Sequence, residues 1–293
     1  MSTAASIFTI IVIILFTTIA AFYYYTVLNY KKTTYFKITG IPYLKMLFDS
    51  GRYGEYLTYI YIREYEQNGA KFLFNVYLPR ENNETTEIDV LMIYKSGLYV
   101  FESKNYSGWI FGDEKSKNWT QTLPSGRKSH KEHFFNPIMQ NKLHIKWLLN
   151  ALERDIPTHS IIVFSERCTL KSINNVSSNI KVIKRGDVKS TVDQIDLSTG
   201  EILTNETIDE IYNKLYNSSQ VDENTKEKHI ENIKQRIEDN AVNNNSVLPD
   251  ETKHICPRCG SLLVLRTAKK GENAGKSFYG CSSYPKCRYI KKD

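Results

Sequence analysis

The chain has 293 residues, of which 41% are hydrophobic and 24% charged, a composition that excludes an intrinsically disordered polymer. Its net charge of +7 is concentrated at one end: from Lys253 to Asp293 ten Lys or Arg face only Glu272 and Asp293, which points to a polyanion partner for that tail. Of five cysteines, Cys168 stands alone while Cys256, Cys259, Cys281 and Cys287 crowd the C-terminus, which excludes a disulfide framework and indicates a reducing compartment.

Met1 to Tyr30 carries no charge, and the apolar run from Ile7 to Leu28 has the roughly 20 residues a helix needs to cross a bilayer. Tyr23, Tyr24 and Tyr25 suit the headgroup level, and Lys31 and Lys32 form a cytoplasmic flank. A cleaved signal peptide would place its positive charge before a shorter apolar core; here the charge follows it. The expectation is a retained single-pass anchor in the cell membrane, with the N-terminus outside and the remaining domains in the cytoplasm.

Arg52 to Gln67 predicts a helix, with Tyr53, Tyr56, Leu57 and Ile60 on one face. Strands are predicted at Lys71–Leu78, Glu87–Tyr94 and Leu98–Lys104, the last two joined by a Lys95-Ser96-Gly97 turn. Further strands are expected at Ser107–Phe111 and Trp119–Leu123, with Trp109 and Trp119 as core aromatics, followed by a polar, basic loop from Pro124 to His133. His130 and His133 in that loop, and His144 beyond it, have no recognisable ligand spacing. Pro137–Leu152 reads as a helix, Ser160–Ser165 and Ile180–Lys184 as buried strands, and Ile208–Tyr216 as a helix. Val221 to Asn245 reads as a charged helix running into a linker, and Cys168 as a buried thiol.

At the C-terminus CPRCG precedes CSSYPKC, and two close cysteine pairs can deliver four thiolates, Cys256, Cys259, Cys281 and Cys287, to one tetrahedral Zn²⁺. Arg258, Arg266, Lys269, Lys270, Lys276, Lys286 and Arg288 can follow phosphates, while Phe278, Tyr279, Tyr284 and Tyr289 can stack on bases. The CPxCG, FYGC and YPxC elements of this segment resemble the zinc-ribbon repeats of type IA DNA topoisomerases. Those repeats bind single-stranded DNA, so the resemblance implies nucleic-acid contact here; a structural ribbon serving protein contact is the other reading.

Asp89 lies in the apolar run EIDVLMIY, a poor place for an unpaired charge, and Glu102 and Lys104 in YVFESKNY are two apart and share a strand face. If the strands pair through the Lys95–Gly97 turn, two carboxylates and an ammonium converge, the set needed for metal-assisted phosphodiester hydrolysis, with Asp89 and Glu102 holding Mg²⁺ or Mn²⁺. This pattern is similar to the D…ExK core of the PD-(D/E)xK nucleases. More specifically, Gly54-Glu55, EIDVL, VFESKNYSGWIFG, Trp119-Thr120-Gln121 and Asn136-Pro137-x-x-Gln140 resemble the nuclease-related domain, NERD, over about Ser50 to Ile162. The resemblance implies catalytic roles for Glu55, Asp89, Glu102 and Lys104, and weaker ones for Gln121 and Gln140. Ile88-Asp89 departs from the Pro-Asp of the superfamily name.

The expected architecture is an α/β, restriction-endonuclease-like mixed sheet flanked by helices, with an N-terminal transmembrane helix and a small C-terminal zinc ribbon. Its segments are an anchor (1–30), a juxtamembrane linker (31–49), the NERD domain (50–218), a charged helix and linker (219–252) and the ribbon (253–293). The expected activity is Mg²⁺-dependent DNA cleavage. A catalytically silent, membrane-tethered DNA-binding protein or an interaction scaffold is the alternative, because a fold does not by itself establish chemistry.

Overall fold

The computed structural model describes residues 3–81, 84–125, 128–222, 224–229, 231–232, 258, 263–267, 277–281 and 287–291, in two compact units, Met1–His229 and Ile230–Asp293. The first unit opens with helix α1 (Thr3–Lys32), whose apolar side chains from Ile7 to Phe22 stay exposed. Its threonines bond back to their own helix: Thr9 Oγ1 donates to Ala5 O (2.9 Å), Thr17 to Ile14 O (2.9 Å), Thr18 to Leu15 O (2.8 Å) and Thr26 to Tyr23 O (2.7 Å). These four hydroxyls are thereby satisfied within the helix itself.

Residues 31–49, expected as a linker, are instead folded. Helix α2 (Thr34–Thr39) is capped by the Thr33 side chain, and α3 (Tyr43–Phe48) follows Pro42. Tyr35, Ile38 and Met46 are buried in the main core, because a segment with an apolar residue every three or four positions has a helical face to bury. Helix α4 (Ser50–Ile62) starts at Asp49, whose carboxylate accepts from Gly51 N and Arg52 N. It ends five residues before the predicted stop, since Arg63–Asn68 tightens into a 3₁₀ turn closed by Gly69 at φ 89°.

Strands β1 (Lys71–Pro79), β2 (Thr85–Tyr94) and β3 (Gly97–Lys104) form an antiparallel meander, and β4 (Gly108–Asp113), β5 (Asn118–Ser125) and β6 (Lys128–Phe135) follow. The predicted basic loop is therefore largely strand. Ser129, Lys131 and His133 alternate with His130, Glu132 and Phe134 along β6, and the polarity that suggested a loop belongs to a solvent-facing edge strand. Helix α5 (Pro137–Leu152), capped by Asn136, leads to β7 (Thr158–Phe164), β8 (Cys168–Asn174), β9 (Ile180–Lys184), α6 (Val188–Thr199) and α7 (Asn205–Tyr216). One sheet has the order β1-β2-β3-β7-β9 with β3, β7 and β9 parallel; the other has the order β6-β5-β4-β8.

Strand β7 stands between two hydrophobic cores. Ile161 and Val163 enter the cluster built on the first sheet, while Ile162 and Phe164, on its other face, join Ile110, Trp119 and Cys168. A strand buried on both faces reads as the unbroken apolar run seen here. Trp119 stacks on Phe164 at 6.0 Å between ring centroids, whereas Trp109 is exposed and lies under Lys171, contrary to its expected core role. Of the predicted charged helix, 224–229 and 231–232 are described and helical.

In the second unit β10 (Leu263–Thr267), β11 (Ser277–Cys281) and β12 (Ile290–Lys291) form a three-stranded antiparallel sheet. Cys281 and Cys287 are buried in one small cluster with Tyr279 and Tyr289, and Cys281 N donates to Tyr289 O (3.0 Å).

Gly112 tests the packing between strands. A Cβ there would lie 2.2 Å from the Trp119 ring, which is itself held by its Nε1 donating to Asp113 O (3.0 Å). Gly112→Ala is expected to cost about 1–3 kcal/mol and lower the thermal midpoint by several degrees, read by near-ultraviolet circular dichroism.

Candidate active site

The β2–β3 ladder runs from Tyr94↔Gly97 to Val90↔Phe101, while β3 continues along β7 as far as Lys104↔Phe164. Past the last β2–β3 pair, the Ser103 N–H is taken by a side chain: Asp89 Oδ2 accepts it at 2.9 Å. That explains a carboxylate inside an apolar strand, since it completes the backbone bonding where two strands part.

Glu102 is 1% exposed and Lys104 is half-buried beside it, with Lys104 Nζ 2.6 Å from Glu102 Oε1. Lys104 Nζ also donates to Gln140 Oε1 (3.1 Å). One turn further along α5, His144 bridges Glu102 Oε2 (Nε2, 3.1 Å) and the Thr86 hydroxyl (Nδ1, 2.6 Å). Asn141 pins the same helix to the sheet by donating to Val100 O (2.9 Å) and Ser160 Oγ (3.0 Å). Residues 140, 141, 144 and 148 thus form the inward face of α5, with Leu148 in the core.

Glu55 comes from α4, which approaches β3 closely: a Cβ on Gly54 would lie 3.0 Å from Asn105 Cβ and 3.1 Å from Ser103 Oγ. Glu55 is buried, and its Oε2 accepts from Asn75 Nδ2 (3.0 Å) and Tyr35 OH (3.4 Å). Asn75 sits on β1 at φ 49°, a left-handed conformation that asparagine tolerates better than most residues. Glu87, two residues from Asp89, accepts from Tyr77 OH (2.7 Å) and adds another carboxylate to this end of the sheet.

The charges interact. Burial, then Glu102 and Glu55, push Asp89 well above the usual carboxylate range. Burial followed by Glu87 raises Glu55 to about 8. Burial also works against ionised Glu102, but Lys104 and His144 together outweigh it and hold that carboxyl below its ordinary value. Lys104 behaves conversely: burial opposes its charge, and Glu102 and Asp89 overcome it, holding the ammonium above its ordinary value. The result is one firmly ionised carboxylate, one firmly charged lysine and two carboxyls that resist ionisation.

The site therefore gathers Asp89, Glu102, Lys104 and Gln140, with Glu55 linked to them electrostatically. Gln121 lies on the second sheet, where its side-chain amide donates to Ser107 O (2.8 Å) and so braces the β3–β4 connection. Sequence reasoning gave too little weight to His144 and missed Glu87; the i, i+4 spacing of Gln140 and His144 and the i, i+2 spacing of Glu87 and Asp89 carried both signals.

A divalent cation is tested by these donors. Glu102 Oε1 is buried, with Lys104 Nζ 2.6 Å away as its charge partner. Among the described residues no three His, Cys, Asp or Glu side chains group to hold a metal ion. Two carboxylates with water and phosphate oxygens supplying the remaining positions is nevertheless the usual arrangement for Mg²⁺, and hard oxygen donors suit it. The donor set fits on that basis.

In the ribbon, Cys256, Cys259, Lys269, Lys270, Lys276, Tyr284 and Lys286 lie outside the described residues, as do the side chains of Arg266 and Phe278. Arg258 and Arg288 are exposed, and Tyr279 packs on the buried Cys281 and Cys287.

Comparison with known proteins divides the chain in the same way. The nuclease-related domain model matches residues 50–165, and that of the topoisomerase DNA binding C4 zinc finger matches residues 253–293. Over 180 residues the chain is 32% identical to an uncharacterized protein of Bacillus anthracis, covering 61% of this chain and 82% of that protein. A 41-residue stretch is 49% identical to DNA topoisomerase 1 of Methanocaldococcus jannaschii, covering 14% of this chain and 5% of that enzyme. A 43-residue stretch is 42% identical to DNA topoisomerase 1 of Helicobacter pylori strain J99, covering 15% and 5% respectively. No solved structure matches the chain.

The value near 8 for Glu55 gives a test by stability. A carboxyl raised on folding binds its proton more tightly in the folded state, so stability falls as pH rises from the ordinary 4.5 to about 8. Glu55→Gln removes that titration. Its thermal midpoint relative to wild type is expected to climb between pH 5 and pH 8 and then level off. A difference independent of pH would contradict the assignment.

Proposed function

Because the chain belongs to the nuclease-related domain family, we propose that it is a membrane-anchored, divalent-metal-dependent nuclease that hydrolyses phosphodiester bonds in DNA. The observation that carries this reading is the buried Glu102 paired with Lys104 beside Asp89, a charge cluster with no need to exist for packing alone. Asp89 and Glu102 would hold Mg²⁺ or Mn²⁺, whose charge would acidify a water and offset charge developing on the phosphoryl oxygens. Lys104, held by Glu102 and Gln140, presents a fixed ammonium to the scissile phosphate. Thr86 and His144 hold Glu102 in one orientation, a positioning role. Glu55, raised to about 8, keeps its proton at neutral pH in the cation-free protein and limits the negative charge beside Asp89.

The C-terminal region is a topoisomerase-type zinc ribbon. In this reading Cys256, Cys259, Cys281 and Cys287 hold one structural Zn²⁺, which supplies the stability that so small a core lacks. The two described cysteines are both buried, as thiolates enclosed around an ion would be. Arg258, Arg266, Lys269, Lys270, Lys276, Lys286 and Arg288 bind phosphates, with Phe278, Tyr279 and Tyr284 available for stacking on single-stranded bases.

Helix α1 is long and apolar enough to cross a membrane, with a mean hydropathy of 2.5 in its apolar window, none of it buried. Its C-terminal turn carries Tyr30, 2% exposed and packed among the domain's aromatics, which favours a retained anchor over a cleaved signal. Lys31 and Lys32 at its C-terminal end support an orientation with the domains on the cytoplasmic side.

The absence, among the described residues, of a three-ligand metal group favours one other reading, a catalytically silent tether that binds DNA. Incubating the detergent-solubilised full chain with plasmid or single-stranded DNA and Mg²⁺ or Mn²⁺ separates them. Cleavage is expected from wild type, with a fall of at least about a hundredfold in Glu102→Gln and Lys104→Ala. DNA binding with no cleavage in any metal would establish the silent tether. His144→Gln, which preserves a donor towards Glu102, is expected to retain more activity than His144→Phe.

A further inference from the structure

We propose that α3 is a membrane-interface seat, whose Leu44, Leu47 and Phe48 enter the boundary between headgroups and acyl chains of the bilayer that α1 crosses. The inference rests on the anchoring role of α1 and goes beyond it, because it assigns a lipid contact to the folded domain.

The position of α3 follows from its contacts with the anchor. Tyr43, its first residue, lies 6.1 Å from the Tyr23 ring and 5.4 Å from the Tyr30 ring, and Tyr30 OH donates to Ile41 O (2.8 Å). Tyr23, Tyr24 and Tyr25 are themselves exposed, at the level on α1 where aromatic side chains meet headgroups. The start of α3 is thus held at the interfacial turns of the transmembrane helix.

Only part of α3 is used by the protein. Met46 is buried in the core, while Leu44 is 47% exposed, Leu47 36% and Phe48 82%. Three large apolar side chains within five residues are unfavourable in water, at about 25 cal/mol per Å² of apolar surface. A bilayer is the occupant because α3 meets α1 through Tyr43 at Tyr23, beside the exposed apolar stretch of α1. The patch is also accompanied by Lys31, Lys32, Lys37 and Lys45, all exposed, which suit anionic headgroups.

The seat bears on the candidate active site. Phe48 is followed by Asp49, which caps α4 through Gly51 N (3.0 Å) and Arg52 N (3.1 Å), and Glu55 lies one turn beyond. No flexible connection separates the lipid contact from the helix that carries Glu55, so the bilayer holds the catalytic domain in one orientation.

The test uses the full chain in vesicles of phosphatidylcholine and phosphatidylglycerol, with Phe48→Trp and Phe16→Trp compared with wild type to subtract the native tryptophans. The phosphatidylcholine is brominated either near the headgroup or near the chain ends. Phe48→Trp is expected to be quenched chiefly by the shallow bromines, and Phe16→Trp, in the middle of α1, by the deep ones. Quenching of Phe16→Trp without quenching of Phe48→Trp would overturn the seat while leaving the anchor intact. Quenching of neither would remove both. Phe48→Trp shielded from aqueous iodide yet unquenched by either lipid would mean that a second copy or another protein covers α3, and would also overturn the proposal.

Discussion

Taking a carboxylate and an ammonium out of water costs several kcal/mol per ion before their attraction offsets it, and removing one partner of such a pair costs about 3–5 kcal/mol. Glu102, fully buried, and its half-buried partner Lys104 impose much of that constraint on the end of the first sheet, and the surrounding side chains answer it. Gln140 and His144 supply the remaining polar contacts from α5, and Thr86 fixes the far nitrogen of the imidazole. Asp89 takes up the Ser103 N–H at the point where β2 and β3 part. Every one of these side chains belongs to a helix or strand, so the cluster is as rigid as the sheet that bears it.

Two helices bring the site together for different reasons. Helix α5 is clamped by Asn141 across β3 and β7, which sets the depth at which Gln140 and His144 meet the carboxylate. Helix α4 is set by the close approach at Gly54 and by the aromatic packing of Tyr35, Tyr56 and Tyr59. Tyr35 links the two levels of organisation. It packs on Tyr30 in the last turns of α1 and donates to Glu55 at the edge of the acidic cluster. The last turn of α1, helices α2 to α4 and the candidate site are one packed body.

Much of this was legible in the sequence where a local pattern had only one structural use. The β2–β3 hairpin followed from two short apolar runs about a Lys95–Gly97 turn, and α5 from a helical run with Pro137 in its first turn. Asp89 was visible as a charge where an apolar strand should not carry one. What escaped were features set by distant neighbours. β6 is polar because its sheet edge faces solvent, so composition alone made it look like a loop. Residues 31–49 were expected as a linker between anchor and domain, and their burial depends on tyrosines in α1 and α4. His144 acquires its meaning only once the sheet places Glu102 beneath it, and Gln121, matched by motif, is drawn to the Ser107 carbonyl instead.

The electrostatic pattern ties fold to chemistry. Glu102 and Lys104 are charged because each is the other's partner, whereas Asp89 and Glu55 are crowded by like charges and retain their protons above the usual range. A divalent cation would reverse that for Asp89, displacing its proton as it binds. Calorimetric titration of Mn²⁺ into the zinc-loaded full chain, repeated in buffers of different ionisation enthalpy, tests this most directly. The account predicts a site in wild type whose occupation releases protons, and an affinity at least about tenfold weaker in Asp89→Asn and Glu102→Gln. Equal affinity in all three proteins, or binding without proton release, would contradict it.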